Sequence, residues 1–305
     1  MELVDVRRIW DRGVHNAFTD LIRFGDEWIC VFREGDGHVS PDGVLRVIAS
    51  DDGQAWDAVG RIEDPTADLR DAKITRTPKG ELMLSGAANP HQGPLQSYSW
   101  FSTDGRQWGP GVAVGEPDMW MWRVTWHEGM AYGVGYSTDG GHVARLYRSA
   151  DGRVFDVLDP EMFSKRCHGK GYPNETSLVF LEDGTGLCLL RRDDDTRTAQ
   201  LGRAQSPYAQ WKWLDLEVYL GGPHMLRLPD GRFVVAGRML EGDERHTQLC
   251  WLNVDSGRLA KALTLPSAGD TSYAGLAWHE DLLWVSYYSS HEEKTAVYLA
   301  TVRVA

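Results

Sequence analysis

The stretch "SDDGQAW" (Ser50–Trp56) returns as "STDGRQW" (Ser102–Trp108) and as "SADGRVF" (Ser149–Phe155), with a Ser, an Asp, a Gly and an aromatic ring at one spacing each time. These residue types describe a turn. Asp bonds its own backbone, Ser bonds across the turn, Gly takes a positive φ, and the ring plugs the interior. A calcium loop would need more acidic ligands at close spacing. The repeated Asp is therefore read as scaffold, and the repeat as a ruler for the rest of the chain. Degenerate versions follow further along the chain, "AQSPYAQW" and "NVDSGRL".

Laid along the chain, the ruler finds six hairpins of apolar run, tight polar turn and apolar run: "LIRFGDEWICVFR", "ITRTPKGELMLSGA", "VTWHEGMAYGVGY", "LVFLEDGTGLCLLR", "LRLPDGRFVVAGR" and "LAWHEDLLWVSYY". Their turn residues Asp26, Gly80, Gly129, Gly184, Gly231 and Asp281 recur about every 50 residues, and a third and fourth strand follow most hairpins. Four short strands at that period predict an all-β fold: a six-bladed β-propeller of four-stranded antiparallel blades. The last blade runs out after its third strand, so "ELVDVRR" near the N-terminus is predicted to complete it and close the ring. Residues 1–305 then form one propeller domain.

Composition narrows the partners. Among 305 residues the net charge is −12, which argues against nucleic acid and anionic membranes. No apolar run approaches the ~18 residues that span a bilayer. "MELVDVRRIW" has no apolar core before a cleavage site. The four cysteines (Cys30, Cys167, Cys188, Cys250) lack metal or disulfide spacing, which fits a reducing, cytoplasmic setting. No cofactor and no metal are expected.

Seven residues past each turn residue lie Arg33, Ala87, Tyr136, Arg191, Arg238 and Tyr288, expected at similar depth around one channel mouth. Three arginines there, in an acidic chain, suggest guanidinium forks for a carboxylate. The starts of the innermost strands add His15, Asn16, Asp20, Arg70, Asp71, Arg123, Asn174, Glu175, His224, Asp270 and Tyr273. Trp120 and Trp122 are placed to stack on a sugar ring.

The repeated turn is the Asp box of the sialidase (neuraminidase) superfamily, and the chain resembles that superfamily over its full length. The resemblance implies an exo-glycosidase that acts with retention on a terminal acidic sugar, sialic acid or a related one. In "NETSLVFLEDGTGLCLLR" it implies a base, Glu175, and a carboxylate-binding Arg191. "SYAGLAW" supplies the nucleophile Tyr273, preceded by a further arginine, Arg238. Tyrosine suits an anomeric carbon that bears a carboxylate, because a carboxylate nucleophile would be repelled. A phenol of pKa about 10 needs a base, and Glu serves. The acid for the leaving oxygen is implied on the blade-one loop "EGDGHVSPDG", where Asp36 is preferred to Asp42 and His38 is the alternative. The resemblance fails at the first triad arginine, where "HNAFTD" puts His15 or Asn16. Arg12, Arg33, Arg70 and Arg123 are the possible substitutes. Two other readings stay open: a propeller lyase in which Tyr273, His15, His224 or His291 abstracts a uronate C5 proton, and a propeller that only binds a glycan or protein.

Overall fold

The computed structural model describes residues 1–304 and contains six four-stranded antiparallel sheets, the blades of a β-propeller, with a single short helix at Lys165–His168. The innermost strands are His15–Phe24, Ala67–Arg76, Met119–His127, Pro173–Phe180, Gly221–Arg227 and Thr271–His279. In blades one to five the strands follow one another outward in chain order. Blade six is completed by Glu2–Trp10, which pairs antiparallel with Ala296–Arg303. The first strand thus covers the edge that the last would leave open. Trp10 carries the closure into the core, packing with Trp28, Phe32 and Trp56 of blade one and Val297 and Leu299 of blade six.

The hairpin turns obey their chemistry. In blades two, four and five the segments Thr77–Glu81, Leu181–Thr185 and Leu228–Arg232 share one set of backbone bonds, with Gly80, Gly184 and Gly231 at positive φ. Blade one departs from the expectation: the residue at positive φ is Gly25, not Asp26. Glycine at the first central position, followed by a residue at negative φ, suits a type II′ hairpin turn.

The three Ser–x–Asp–Gly turns join third and fourth strands. In the second, Asp104 Oδ1 accepts from Arg106 N (2.8 Å) and Gln107 N (2.9 Å), and Ser102 Oγ accepts from Gly105 N (2.9 Å). The Trp108 indole donates to Gly105 O at 3.2 Å. Asp52 and Asp151 repeat these bonds. Glycine is required twice over at these positions. Gly53 and Gly152 have positive φ, and a Cβ there would lie 2.5 Å from Trp284 and 2.8 Å from Met83 on the preceding blade. The degenerate box of blade four keeps the ring lock, Trp211 Nε1 to Tyr208 O at 3.0 Å. Cys30, Cys188 and Cys250 are buried and Cys167 is exposed, all four as free thiols.

Backbone N–H donors to Asp104 hold its carboxyl below the ordinary value of 3.8. A carboxylate with a depressed folded value stabilises the fold above its unfolded value and loses that contribution as pH falls. Asp104→Ala should therefore lower stability by about 1 kcal/mol near neutrality, as loss of a backbone cap does. The deficit should shrink as the pH drops below 3.8, read by thermal melts across pH.

Candidate functional site

Each innermost strand carries one extra residue at the same height. Two residues oppose one across the hairpin at Phe18–Thr19, Asp71–Ala72, Trp122–Arg123, Asn174–Glu175, Gly222–Pro223 and Tyr273–Ala274. Such bulges re-aim side chains. Phe18, Asp71, Gly222 and Tyr273 take φ of 63°, 54°, 58° and 50°. The result is a cleft of about 270 Å³ lined by Phe18, Asp71, Trp122, Asn174, Glu175 and Tyr273 from the bulges, with Arg70, Trp120, Tyr136, Arg191, Tyr172 and His38 around them. His38 and Arg191 also line an adjoining lobe of about 710 Å³, with Arg197, Tyr219, Arg238, Arg245 and Asp270.

Glu175, Arg191 and Tyr273 meet as one hydrogen-bonded unit. The Tyr273 hydroxyl donates to Glu175 Oε1 at 2.5 Å. Arg191 Nη1 reaches both Glu175 oxygens at 2.8 Å and the Tyr273 oxygen at 3.1 Å. Gly222 N donates to Glu175 Oε2 at 3.0 Å. Burial alone would raise the Glu175 pKa, but the Arg191 charge and the hydrogen bonds from Arg191 and Tyr273 outweigh it and hold it below the usual range. Burial and the Glu175 charge push the Tyr273 phenol well up, against Arg191 and Arg238. At neutral pH the pair is thus a carboxylate accepting a hydrogen bond from a neutral phenol, along the line the proton would cross.

Arg191 has no free edge: Asp193 accepts from its Nε (3.1 Å) and pairs with its Nη2 (3.0 Å). The structure gives it the role of orienting Glu175 and Tyr273. Arg238 is different. It is buried, stacks toward the Tyr273 ring (5.9 Å) and bonds Tyr219 OH (3.3 Å), yet has no carboxylate partner among the described residues. Its guanidinium faces the larger lobe.

Several expected site residues lie elsewhere. Arg33 is fully buried and spent on Asp68 Oδ1 (2.8 Å), Gly37 O (2.7 Å) and Ser40 (2.9 Å to Oγ), so it ties down its own loop. Arg33 and Arg191 do not share a register. Arg33 opposes the residue before its bulge, as Arg192 does in blade four, and Arg192 likewise binds loop oxygens of Gly171, Asp194 and Thr198. The count of seven pairs Arg33 with Arg191 and is one residue out. Arg123 is drawn below the cleft by Asp20 at 2.6 Å. Asn16 is buried and holds Gly13 O and Thr295 O. Asp36 and Asp42 are exposed, outside the cleft lining, and joined to each other by the Asp36 N–H. Arg12 lies over the Trp10 ring at 4.4 Å, outside the cleft.

His15 and His38 both bond Asp270 Oδ2, at 3.1 and 2.7 Å, and Tyr288 OH donates to Asp270 Oδ1 at 2.8 Å. Tyr288 thus acts through Asp270. His15, His38 and Asp270 are the one group of three donors close enough to hold a metal ion among the described residues. Their spacing is that of hydrogen bonds, which satisfy Asp270 without an ion. His224 is partly buried, its pKa pushed down to about 3 by desolvation, and bonded to the backbone of Ala274. His291 bonds Ser289 outside the cleft. Arg70 lines the cleft with its Nη2 on His38 O at 3.1 Å. The "SKRCHGKGY" stretch forms the short helix and delivers Tyr172 to the cleft wall.

Phe18, Asp71, Tyr172 and Gly222 were not given roles from the sequence. Aligning the six inner strands on their polar or glycine break would have marked the bulges. Gly222 is the clearest: a Cβ there would lie 3.0 Å from the Tyr273 ring on a backbone of φ +58°. Gly222→Ala should lower stability by about 1–2 kcal/mol for the left-handed backbone. It should also shift Tyr273, measured as a thermal melt and a changed near-ultraviolet tyrosine signal.

No protein-family model matches the chain, and no curated protein matches it. Among solved structures it is similar to a protein of unknown function from Dyadobacter fermentans (TM-score 0.87, 18% identity, 99% of each chain covered). It is similar to a Penicillium chrysogenum α-L-arabinanase complexed with arabinobiose (TM-score 0.76, 14% identity, 99% of this chain and 98% of that one). It is also similar to a Trypanosoma rangeli sialidase (TM-score 0.71, 9% identity), with 99% of this chain lying on 58% of that one. At these identities the likeness shows a shared six-bladed propeller fold.

Proposed function

We propose that this protein is a glycoside hydrolase that removes a terminal acidic sugar, sialic acid or a related one, with retention of configuration. One observation carries the reading: a buried tyrosine whose hydroxyl donates to an ionised glutamate at 2.5 Å, beside a buried arginine with no acidic partner among the described residues. Tyr273 is the nucleophile. Glu175 takes its proton as the phenol oxygen attacks the anomeric carbon, so the phenol need not be ionised beforehand. Arg191 keeps Glu175 charged and stabilises the phenolate as the proton leaves. Arg238 holds the sugar carboxylate, with Arg197 and Arg245 adding positive charge at the lobe's rim. Trp120 and Trp122 offer faces for the ring. The propeller glycosidases among the structural neighbours, a sialidase and an arabinanase, support the sugar-cleaving class.

The test is hydrolysis of an aryl α-sialoside. The wild type should release the phenol with retained configuration. Tyr273→Phe and Glu175→Gln should each lose about 10²- to 10⁴-fold in kcat. Arg238→Ala should raise KM by about 10- to 100-fold, the worth of a hydrogen bond to a charged group. Equal turnover by wild type and Tyr273→Phe, or an inverted first product, would overturn the mechanism.

A further inference from the structure

A retaining cleavage needs a second proton-carrying group, and neither Asp36 nor Asp42 reaches the cleft. Four carboxyls are buried: Asp20, Asp68, Asp71 and Glu175. Asp20 accepts from Arg123 and Ile74 N, Asp68 from Arg33, and Glu175 from Arg191, Tyr273 and Gly222. Asp71 accepts no side-chain or backbone hydrogen bond among the described residues. Its Oδ1 is buried without a partner, and its Oδ2 stands 3.7 Å from Arg70 Nε, beyond hydrogen-bond reach. It is nonetheless held at φ 54° in the blade-two bulge and lines the same cleft as Glu175 and Tyr273. An unpartnered buried carboxyl is costly, and folds retain one where a ligand supplies the missing partner.

We propose that Asp71 is the general acid and base of this site, protonating the departing glycosidic oxygen and then activating water. This rests on the glycosidase reading above and completes it. In the first step the Tyr273 oxygen bonds the anomeric carbon and its proton passes to Glu175. The bond to the leaving oxygen breaks as Asp71 delivers its proton there. In the second step water attacks the anomeric carbon, Asp71 takes the water proton, and the phenolate leaves and recovers its proton from Glu175. Atoms and charge balance without a cofactor. The surroundings suit a carboxyl kept protonated until needed. Burial pushes its pKa up, and the Glu175 charge reinforces this, against Arg70 and Lys73 on its own strand and Arg33 of blade one. The phenols of Tyr136 and Tyr273 feel its charge in turn.

The experiment is Asp71→Asn, assayed on aryl α-glycosides, acidic and neutral, whose leaving phenols span a range of acidity. The variant should lose about 10²- to 10⁴-fold on poor leaving groups and far less on the most acidic phenol, where protonation is dispensable. Added azide should restore turnover and give a glycosyl azide of retained configuration. The thermal midpoint should match or exceed wild type, because an unpartnered buried carboxyl is removed. A loss that is uniform across the series, a lowered midpoint, or a leaving-group dependence produced by His38→Ala and not by Asp71→Asn would overturn the assignment while leaving the glycosidase reading standing. A wild type that turns over none of the glycosides would overturn both.

Discussion

The site depends on one backbone irregularity repeated six times: the two-for-one bulge in every innermost strand. A regular strand points successive side chains to opposite faces, into the packing between neighbouring blades. The extra residue breaks that alternation and turns a side chain along the axis toward the channel mouth. Because the blades surround one axis, bulge residues from blades one, two, three, four and six meet in one cleft. Left-handed φ at Phe18, Asp71 and Tyr273 is strain that the flanking ladders hold in place, and it falls on the residues that face the cleft.

Charge is distributed unevenly around that cleft. Glu175 is buried but accepts hydrogen bonds from Arg191, Gly222 and Tyr273, which keep it ionised. Asp71, a short way round the same wall, has none. Two carboxyls in one cavity are thereby pushed toward opposite protonation states, the arrangement that separates a base from an acid. The arginines divide in the same way. Arg33, Arg123 and Arg191 are consumed by the protein's own oxygens and fix loops, the channel floor and Glu175 respectively. Arg238 alone of the predicted carboxylate-binding arginines is buried beside the cleft without an acidic partner among the described residues.

Much of this was legible in the chain. The spacing of the Ser–Asp–Gly–aromatic turns and of the hairpins led to six blades, and the unpaired "ELVDVRR" to the closing strand. Glu175, Arg191 and Tyr273 were named together from a family resemblance, and they do meet. The misplacement of Arg33 has a physical cause. Counting from the hairpin turn assumes equal loop and bulge lengths, yet the residue opposite the bulge is Phe32 in blade one and Arg191 in blade four. A slip of one residue exchanges the two faces of a strand. Arg33 therefore looked like Arg191 and behaves like Arg192. Asp71 was named as axis-facing but given no role, because nothing in "LRDAK" says that the chain bends there.

The sequence by itself determined the architecture, because turn chemistry and alternating apolar runs are local and repeat six times. Turn Asp and Gly residues are recognisable wherever they stand, since their bonds are to neighbours two or three residues away. The division of labour among polar residues was decided only by the tertiary structure. Whether an arginine holds a loop or faces a ligand depends on which oxygens arrive from another blade: Asp68 for Arg33, Asp20 for Arg123, and no carboxylate among the described residues for Arg238. Those partners are distant in the chain, and their proximity follows from closing the ring.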